Sequence, residues 1–209
     1  MNRPSFGVRL AQQLLFGGVR LLVGARMIGT LPRGGTQIFF ANHTSHLDTL
    51  TLLAALPDEQ RYRTRPVAAR DYWCATPARK WVAEKLLNVI FIDRTPKKGQ
   101  DVLSDVSAAL GQGVSIIIFP EGTRHPEAIP KPFRSGLYHL AEAHPDVGLV
   151  PVYLENLYRI LPKGSFLPVP LINKVIVGEP LARLADEPKS DFLLRAHGYV
   201  CALSPVTAS

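Results

Sequence analysis

The sequence has two cysteines, Cys74 and Cys201, far apart and in no zinc or redox spacing. That excludes a disulfide framework and a cysteine-built metal centre, and it fits buried free thiols in a reducing compartment. Carboxylates are missing from the whole N-terminal stretch: Asp48 is the first, whereas Arg3, Arg9, Arg20, Arg26 and Arg33 all precede it. No uninterrupted apolar run reaches the roughly 18 residues of a membrane-spanning helix. Arg20 and Arg26 interrupt the place where a signal-peptide core would run, and no small-x-small cleavage site follows. Internal repeats and low-complexity tracts are also lacking, so nothing argues for a second globular unit.

What is present is a chain of 209 residues, long enough for one domain with a sizeable core. It is 46% hydrophobic, with a mean hydropathy of +0.08 and a formal net charge of +7. Greasiness combined with positive charge points to an anionic lipid surface as partner. The arginines are not interleaved with an aromatic platform or a nucleic-acid-binding motif, which argues against nucleic acid. Residues 1–33 are read as a basic amphipathic leader and 34–209 as the main domain. On a helical wheel Arg9, Gln13 and Arg20 share one face with Gln12 at its edge, while Leu10, Leu14, Leu15, Leu21 and Leu22 occupy much of the rest. This predicts a helix lying in the membrane interface. The alternative is a helix docked on the protein's own core with its basic stripe exposed.

Past Gly34-Gly35, short apolar runs alternate with helical periodicity. Strands are expected at 36–41, 66–69, 88–92, 114–119, 148–154 and 174–177, and helices at 46–56, 76–87, 102–110, 135–143 and 188–203. Pro151 assigns its strand to an edge or an irregular position. Pro162, Pro168 and Pro170 predict a loop over the surface. The strand, helix, strand order argues for parallel crossover units, hence an α/β fold with a mixed, largely parallel central sheet flanked by helices.

Two apolar runs end in chemistry. Phe39-Phe40-Ala41 stops on Asn42-His43, and Asp48 follows five residues later. A histidine at a strand end lies where open α/β sheets bind ligands, and it can act as a base if a carboxylate holds its other nitrogen. Were His43 to Asp48 all helical, their side chains would point about 140° apart. They meet only if the helix starts after His43, with Thr44 or Ser45 as cap. Asp48 serving only as a helix cap, and His46 as the base, are the rival readings. The second run, Ile116 to Phe119, ends on Pro120-Glu121-Gly122-Thr123-Arg124. Gly122 permits positive φ and close backbone approach to an anion, and Arg124 can hold phosphate through a bidentate fork. An internal Glu121–Arg124 ion pair is the alternative. Arg94, beside Asp93 at another strand end, and Arg134 complete a possible phosphate pocket.

Asn42-His43-x4-Asp48, Ile90-Phe91-Ile92-Asp93-Arg94, Phe119 to Arg124 and Val150-Pro151-Val152 resemble, in order and spacing, the four blocks of the glycerolipid acyltransferases. The resemblance spans roughly residues 36–155. It implies that an acceptor hydroxyl attacks the thioester of acyl-CoA or acyl carrier protein, with His43 as general base and Asp48 orienting it. Arg94, Glu121, Gly122, Thr123 and Arg124 would position a lysophospholipid acceptor, foremost 1-acylglycerol 3-phosphate, and Pro151 would shape the acyl side. It implies no metal, no cofactor beyond the acyl donor, and peripheral attachment to the cytoplasmic face of the membrane. Asn88 stands where many members carry glycine, and Arg134 replaces a lysine in a Phe-Lys-x-Gly element. Glycerol 3-phosphate or a lyso-aminolipid as acceptor, a thioesterase, and a non-catalytic lipid or carrier-binding protein of the same fold are the alternatives.

Overall fold

The computed structural model describes residues 5–95, 99, 101–125, 127, 129–155 and 173–205. The loop expected around Pro162, Pro168 and Pro170 lies outside them. In chain order the elements are α1 (Phe6–Val23), β1 (Arg26–Ile28), β2 (Gln37–Ala41), α2 (Asp48–Ala55), α3 (Asp58–Tyr62), β3 (Thr64–Ala69), α4 (Arg70–Trp73) and α5 (Pro77–Trp81). A π-helical turn, Val82–Leu86, continues α5. Then come β4 (Ile90–Ile92), α6 (Ser104–Gly111), β5 (Ser115–Ile118), α7 (Gly136–Ala143), β6 (Gly148–Leu154), β7 (Lys174–Val177) and α8 (Lys189–Ala202).

The strands form one seven-stranded sheet in the order β1-β7-β6-β2-β5-β3-β4, parallel throughout except at the β6–β7 pair. β2 is central and buried at every position, as expected of a parallel strand covered on both faces. Its side chains alternate between the faces. Phe39 and Ala41 join the core under α1 and α2, whereas Ile38 and Phe40 join the core under α6, α7 and α8. The C-terminal ends of β2, β5, β3 and β4 therefore share one rim.

Pro151 is not on an edge strand, because β6 pairs with β2 on one side and β7 on the other. The backbone N and O of one residue point to the same side of a strand. Pro151 O accepts from Gly178 N (2.9 Å) at the β7 side, where the antiparallel ladder ends after Val152↔Val177. The missing N–H thus falls at the end of a ladder, the irregular half of the expectation.

The N-terminal helix docks on the protein's own core and keeps its basic stripe, Arg9, Gln13 and Arg20, exposed. Phe16, Val19 and Val23 bury one face against α2 and the π-turn. Gln12 Nε2 donates to Leu86 O (2.9 Å), and the Arg20 guanidinium donates to Ala54 O and Leu56 O, the last carbonyls of α2. A cation over a helix C-terminus is favourable. Beside that stripe the exposed surface also carries Phe6, Leu10, Leu14 and Leu21, with Leu21 85% accessible. Gly24, left-handed at φ 60, ends the helix and turns the chain into β1, which pairs parallel with β7. α1 also has the length and hydropathy (18 residues, 1.2) of a membrane-crossing helix by composition alone. Cys74 and Cys201 form no disulfide and are partly exposed rather than buried.

Candidate active site at the carboxyl ends of the central strands

β2 ends at Ala41, and the chain is then held by Asn42, whose carboxamide donates to Leu154 O (3.1 Å) and accepts from Leu154 N (2.7 Å). The side chain acts as one more rung between β2 and β6. His43 follows in the turn, and α2 starts only at Asp48. The side chains meet because the intervening residues are not helical: His43 Nδ1 and Asp48 Oδ2 are 2.7 Å apart. Asp48 is fully buried, and the His43 side chain keeps 21% exposure.

The expected cap is inverted. Neither Thr44 nor Ser45 caps α2 with its side chain. Instead Asp48 Oδ2 accepts from Thr44 N (2.7 Å) and Ser45 N (2.9 Å), the reach-back half of a capping box. Orienting the histidine and closing the turn are therefore done by one oxygen. An ionised carboxylate only accepts, so His43 Nδ1 carries the proton and the imidazole's Nε2 is the basic nitrogen.

The loop after β5 grips His43 from both sides. Glu121, 3% exposed, accepts from His43 N through Oε1 (2.7 Å) and from Lys131 N through Oε2 (2.9 Å). Its Oε2 also bonds buried His125 Nε2, and His125 N donates to His43 O (3.1 Å). Glu121, expected among the acceptor contacts, faces inward, and it pairs with His125 rather than Arg124. Phe119 stacks on the His43 ring, centroids 4.2 Å apart and planes 16° from parallel. His125 was missed because no spacing in the sequence connects it to His43.

Gly122 adopts φ 74, and a Cβ there would lie 2.6 Å from Arg134 Nε. Glycine is required because the Arg134 guanidinium lies across it. The Gly122 amide, expected to face an anion, is used in a turn to Phe119 O (3.0 Å). Arg124 places its guanidinium over the Tyr72 ring at 5.3 Å. Thr123 is exposed on the same loop. Arg94 stands two strands away at the end of β4, where it pairs with Asp71 (3.2 Å), while neighbouring Arg70 pairs with Asp93 (3.1 Å). Asn88 is left-handed at φ 53, a conformation asparagine shares with glycine.

His46 is not interchangeable with His43. Its Nδ1 bonds Tyr72 Oη (2.6 Å), and burial, then Arg124, His43 and Arg79, hold its pKa below the usual 6.5, with Asp48 opposing. Among the described residues no group of three or more His, Cys, Asp or Glu side chains is placed to hold a metal.

A histidine–aspartate pair on the rim of a largely parallel sheet, beside a Phe-Pro-Glu-Gly-Thr-Arg loop, defines a class: the chain belongs to the acyltransferase family, whose model matches residues 25–155. Among curated relatives it is 35% identical over 129 residues to human 1-acyl-sn-glycerol-3-phosphate acyltransferase alpha, covering 60% of this chain and 42% of that protein. It is 31% identical over 137 residues to 1-acyl-sn-glycerol-3-phosphate acyltransferase BAT2, chloroplastic, of Brassica napus, covering 65% and 38%. The chain thus spans about two fifths of the length of these relatives. The crystal structure of the 1-acyl-sn-glycerophosphate acyltransferase PlsC of Thermotoga maritima superposes with a TM-score of 0.74 over 97% of this chain and 80% of that one. At 19% identity, this establishes the shared fold.

Proposed function

We propose that the protein transfers a fatty acyl group from the thioester of acyl-CoA or acyl carrier protein to the free hydroxyl of a lysophospholipid, with 1-acylglycerol 3-phosphate as acceptor and phosphatidic acid as product. The observation that carries this reading is the 2.7 Å contact between His43 Nδ1 and Asp48 Oδ2 at the strand ends, next to the basic Arg124–Arg134 loop. The names of the curated relatives support the choice of acceptor.

His43 Nε2 takes the proton as the acceptor oxygen attacks the thioester carbonyl, and Asp48 stabilises the imidazolium that forms. Collapse of the tetrahedral intermediate breaks the carbon–sulfur bond, and the departing thiolate receives the proton back from Nε2. No bond to the enzyme is made, so neither cysteine is needed. Glu121 and His125 serve this step by fixing the His43 backbone, and Phe119 fixes the plane of its ring. Arg124 and Arg134 meet the acceptor's phosphate across Gly122, with Thr123 on the same loop, and Arg94 extends the basic rim. α1 lays Phe6, Leu10, Leu14 and Leu21 into the cytoplasmic face of the membrane as a peripheral anchor, and the net charge of +7 favours anionic lipid.

The test is purified protein with acyl-CoA or acyl carrier protein donors and a panel of lysophosphatidate, glycerol 3-phosphate, a lyso-aminolipid and no acceptor, with products read by mass spectrometry. Acceptor-dependent thiol release with phosphatidic acid formed is expected, and His43→Ala abolishes it. Thiol release without acceptor would make the protein a thioesterase. Lipid binding without turnover for any donor would make it a binding protein.

A further inference from the structure

Residues 70–81 carry no part of the four sequence blocks, yet they build one wall of the rim beside His43. Thr76 Oγ1 accepts from Arg79 N (3.3 Å), and Pro77 occupies the first position of α5. That cap aims the helix back toward α4 and puts the Arg79 guanidinium carbon 5.0 Å from the centre of the Tyr72 ring. The Arg124 guanidinium carbon lies 5.3 Å from the same centre. Tyr72 is held in place by its hydroxyl on His46 Nδ1 (2.6 Å) and by an edge contact with Trp73, 5.6 Å between centroids.

The two guanidiniums are therefore gathered on one aromatic ring by segments far apart in sequence. Their charge is uncompensated: among the described residues neither is paired with a carboxylate, whereas Arg70 and Arg94 nearby are paired with Asp93 and Asp71. Cation–π contact with a tyrosine offsets only a small part of the repulsion between two such cations. The same positive field is felt at His46, whose protonation is disfavoured first by burial and then by Arg124, His43 and Arg79. Like charges assembled and left unpaired next to His46, three residues beyond His43, form a site for an anion, and two guanidinium forks match the oxygens of a phosphate monoester.

We infer that Arg79 is a second phosphate-binding residue, acting with Arg124 across Tyr72, and that it sets the preference for a phosphorylated acceptor. This rests on the acyltransferase reading and adds Arg79 to the acceptor contacts that the sequence blocks assign to Arg94 and Arg124.

The experiment compares Arg79→Gln and Arg79→Lys with the unmodified protein on 1-acylglycerol 3-phosphate and on the monoacylglycerol with the same chain and hydroxyl. Arg79→Gln is expected to lower kcat/KM for the phosphorylated acceptor by about 10- to 100-fold, mainly through KM, while leaving turnover of monoacylglycerol within about twofold. Arg79→Lys should fall between. A second measurement, calorimetric binding of a short-chain soluble 1-acylglycerol 3-phosphate, should show the same loss in Arg79→Gln without any turnover. If the unmodified protein binds this ligand through Arg79 but no acceptor is acylated, the acyltransferase reading fails and the phosphate site stands. Equal losses on both acceptors, or unchanged binding in Arg79→Gln, would overturn the inference.

Discussion

Replacing Asp48 by asparagine separates the two tasks of one buried oxygen. Oδ2 receives Thr44 N at 2.7 Å, Ser45 N at 2.9 Å and His43 Nδ1 at 2.7 Å, while Oδ1 is buried with no partner. Two backbone amides demand an acceptor at the Oδ2 position, so the asparagine must put its oxygen there and its NH2 where Oδ1 was. The imidazole then keeps its tautomer, with Nε2 still basic, but the imidazolium loses its counter-charge. A unit charge about 4 Å away at an effective dielectric constant near 20 is worth roughly 4 kcal/mol, and the amide dipole restores part of that. At about 1.4 kcal/mol per decade, kcat is expected to fall about 10²- to 10³-fold. Folding suffers as well. Three charge-assisted bonds become neutral, at about 1 kcal/mol each, and a buried NH2 is left unpaired, adding about 1–3 kcal/mol. At roughly 2–4 °C per kcal/mol for a chain of this size, Tm should drop by about 8–24 °C. Thiol release from acyl-CoA with saturating lysophosphatidate measures the first quantity, and thermal unfolding measures the second. A folded variant retaining kcat within tenfold of the unmodified protein, or one whose loss falls entirely in KM, would refute the assignment of Asp48 as the charge partner of His43.

Leu10→Ser, Leu14→Ser and Leu21→Ser together remove most of the exposed stripe of α1; sedimentation with anionic vesicles should fall at least tenfold, while Tm moves by less than about 3 °C because none of the three is buried. Retained vesicle binding would show that α1 is not the anchor. Gly122→Ala forces a side chain into φ 74 and against Arg134, so a destabilisation of about 1–2 kcal/mol and a several-fold rise in acceptor KM are expected; unchanged kinetics would mean that Arg134 does not contact the acceptor. His46 is harder to protonate in the folded protein than in the unfolded chain, where the usual 6.5 applies. Its contribution is fully present above that value and is lost as pH falls below it toward the folded pKa. His46→Gln should accordingly show a smaller loss of chemical stability between pH 7.5 and 5.5 than the unmodified protein does, and identical losses would contradict the sign.

How much of this was legible depends on the range over which each feature acts. His43 and Asp48 were readable because five residues and a turn bring them together, a local matter of where a helix starts. The positions of β2 to β7 and the parallel crossovers followed likewise from apolar runs and their spacing, whereas β1 lies inside the stretch read as a leader and shows itself only by pairing with β7. The fold, by contrast, decides what faces what. Periodicity showed that α1 is two-sided but could not say which side meets the core: Phe16, Val19 and Val23 dock, and both the basic stripe and the leucines at 10, 14 and 21 are left outside, with Arg20 reaching back to carbonyls at the end of α2. Glu121 looked like a ligand contact and is a clamp, because its partners, the His43 amide 78 residues away and His125 at the loop's end, exist only once β2 and β5 pair. The basic pocket was expected from Arg94, Arg124 and Arg134; the fold pairs Arg94 with Asp71 and brings Arg79, which no motif marked, beside Arg124 on Tyr72. The sequence by itself determined the pairing of His43 with Asp48 and the strand that carries it. Only the tertiary structure decided which charges stay unpaired, since charge compensation depends on neighbours that no local pattern records.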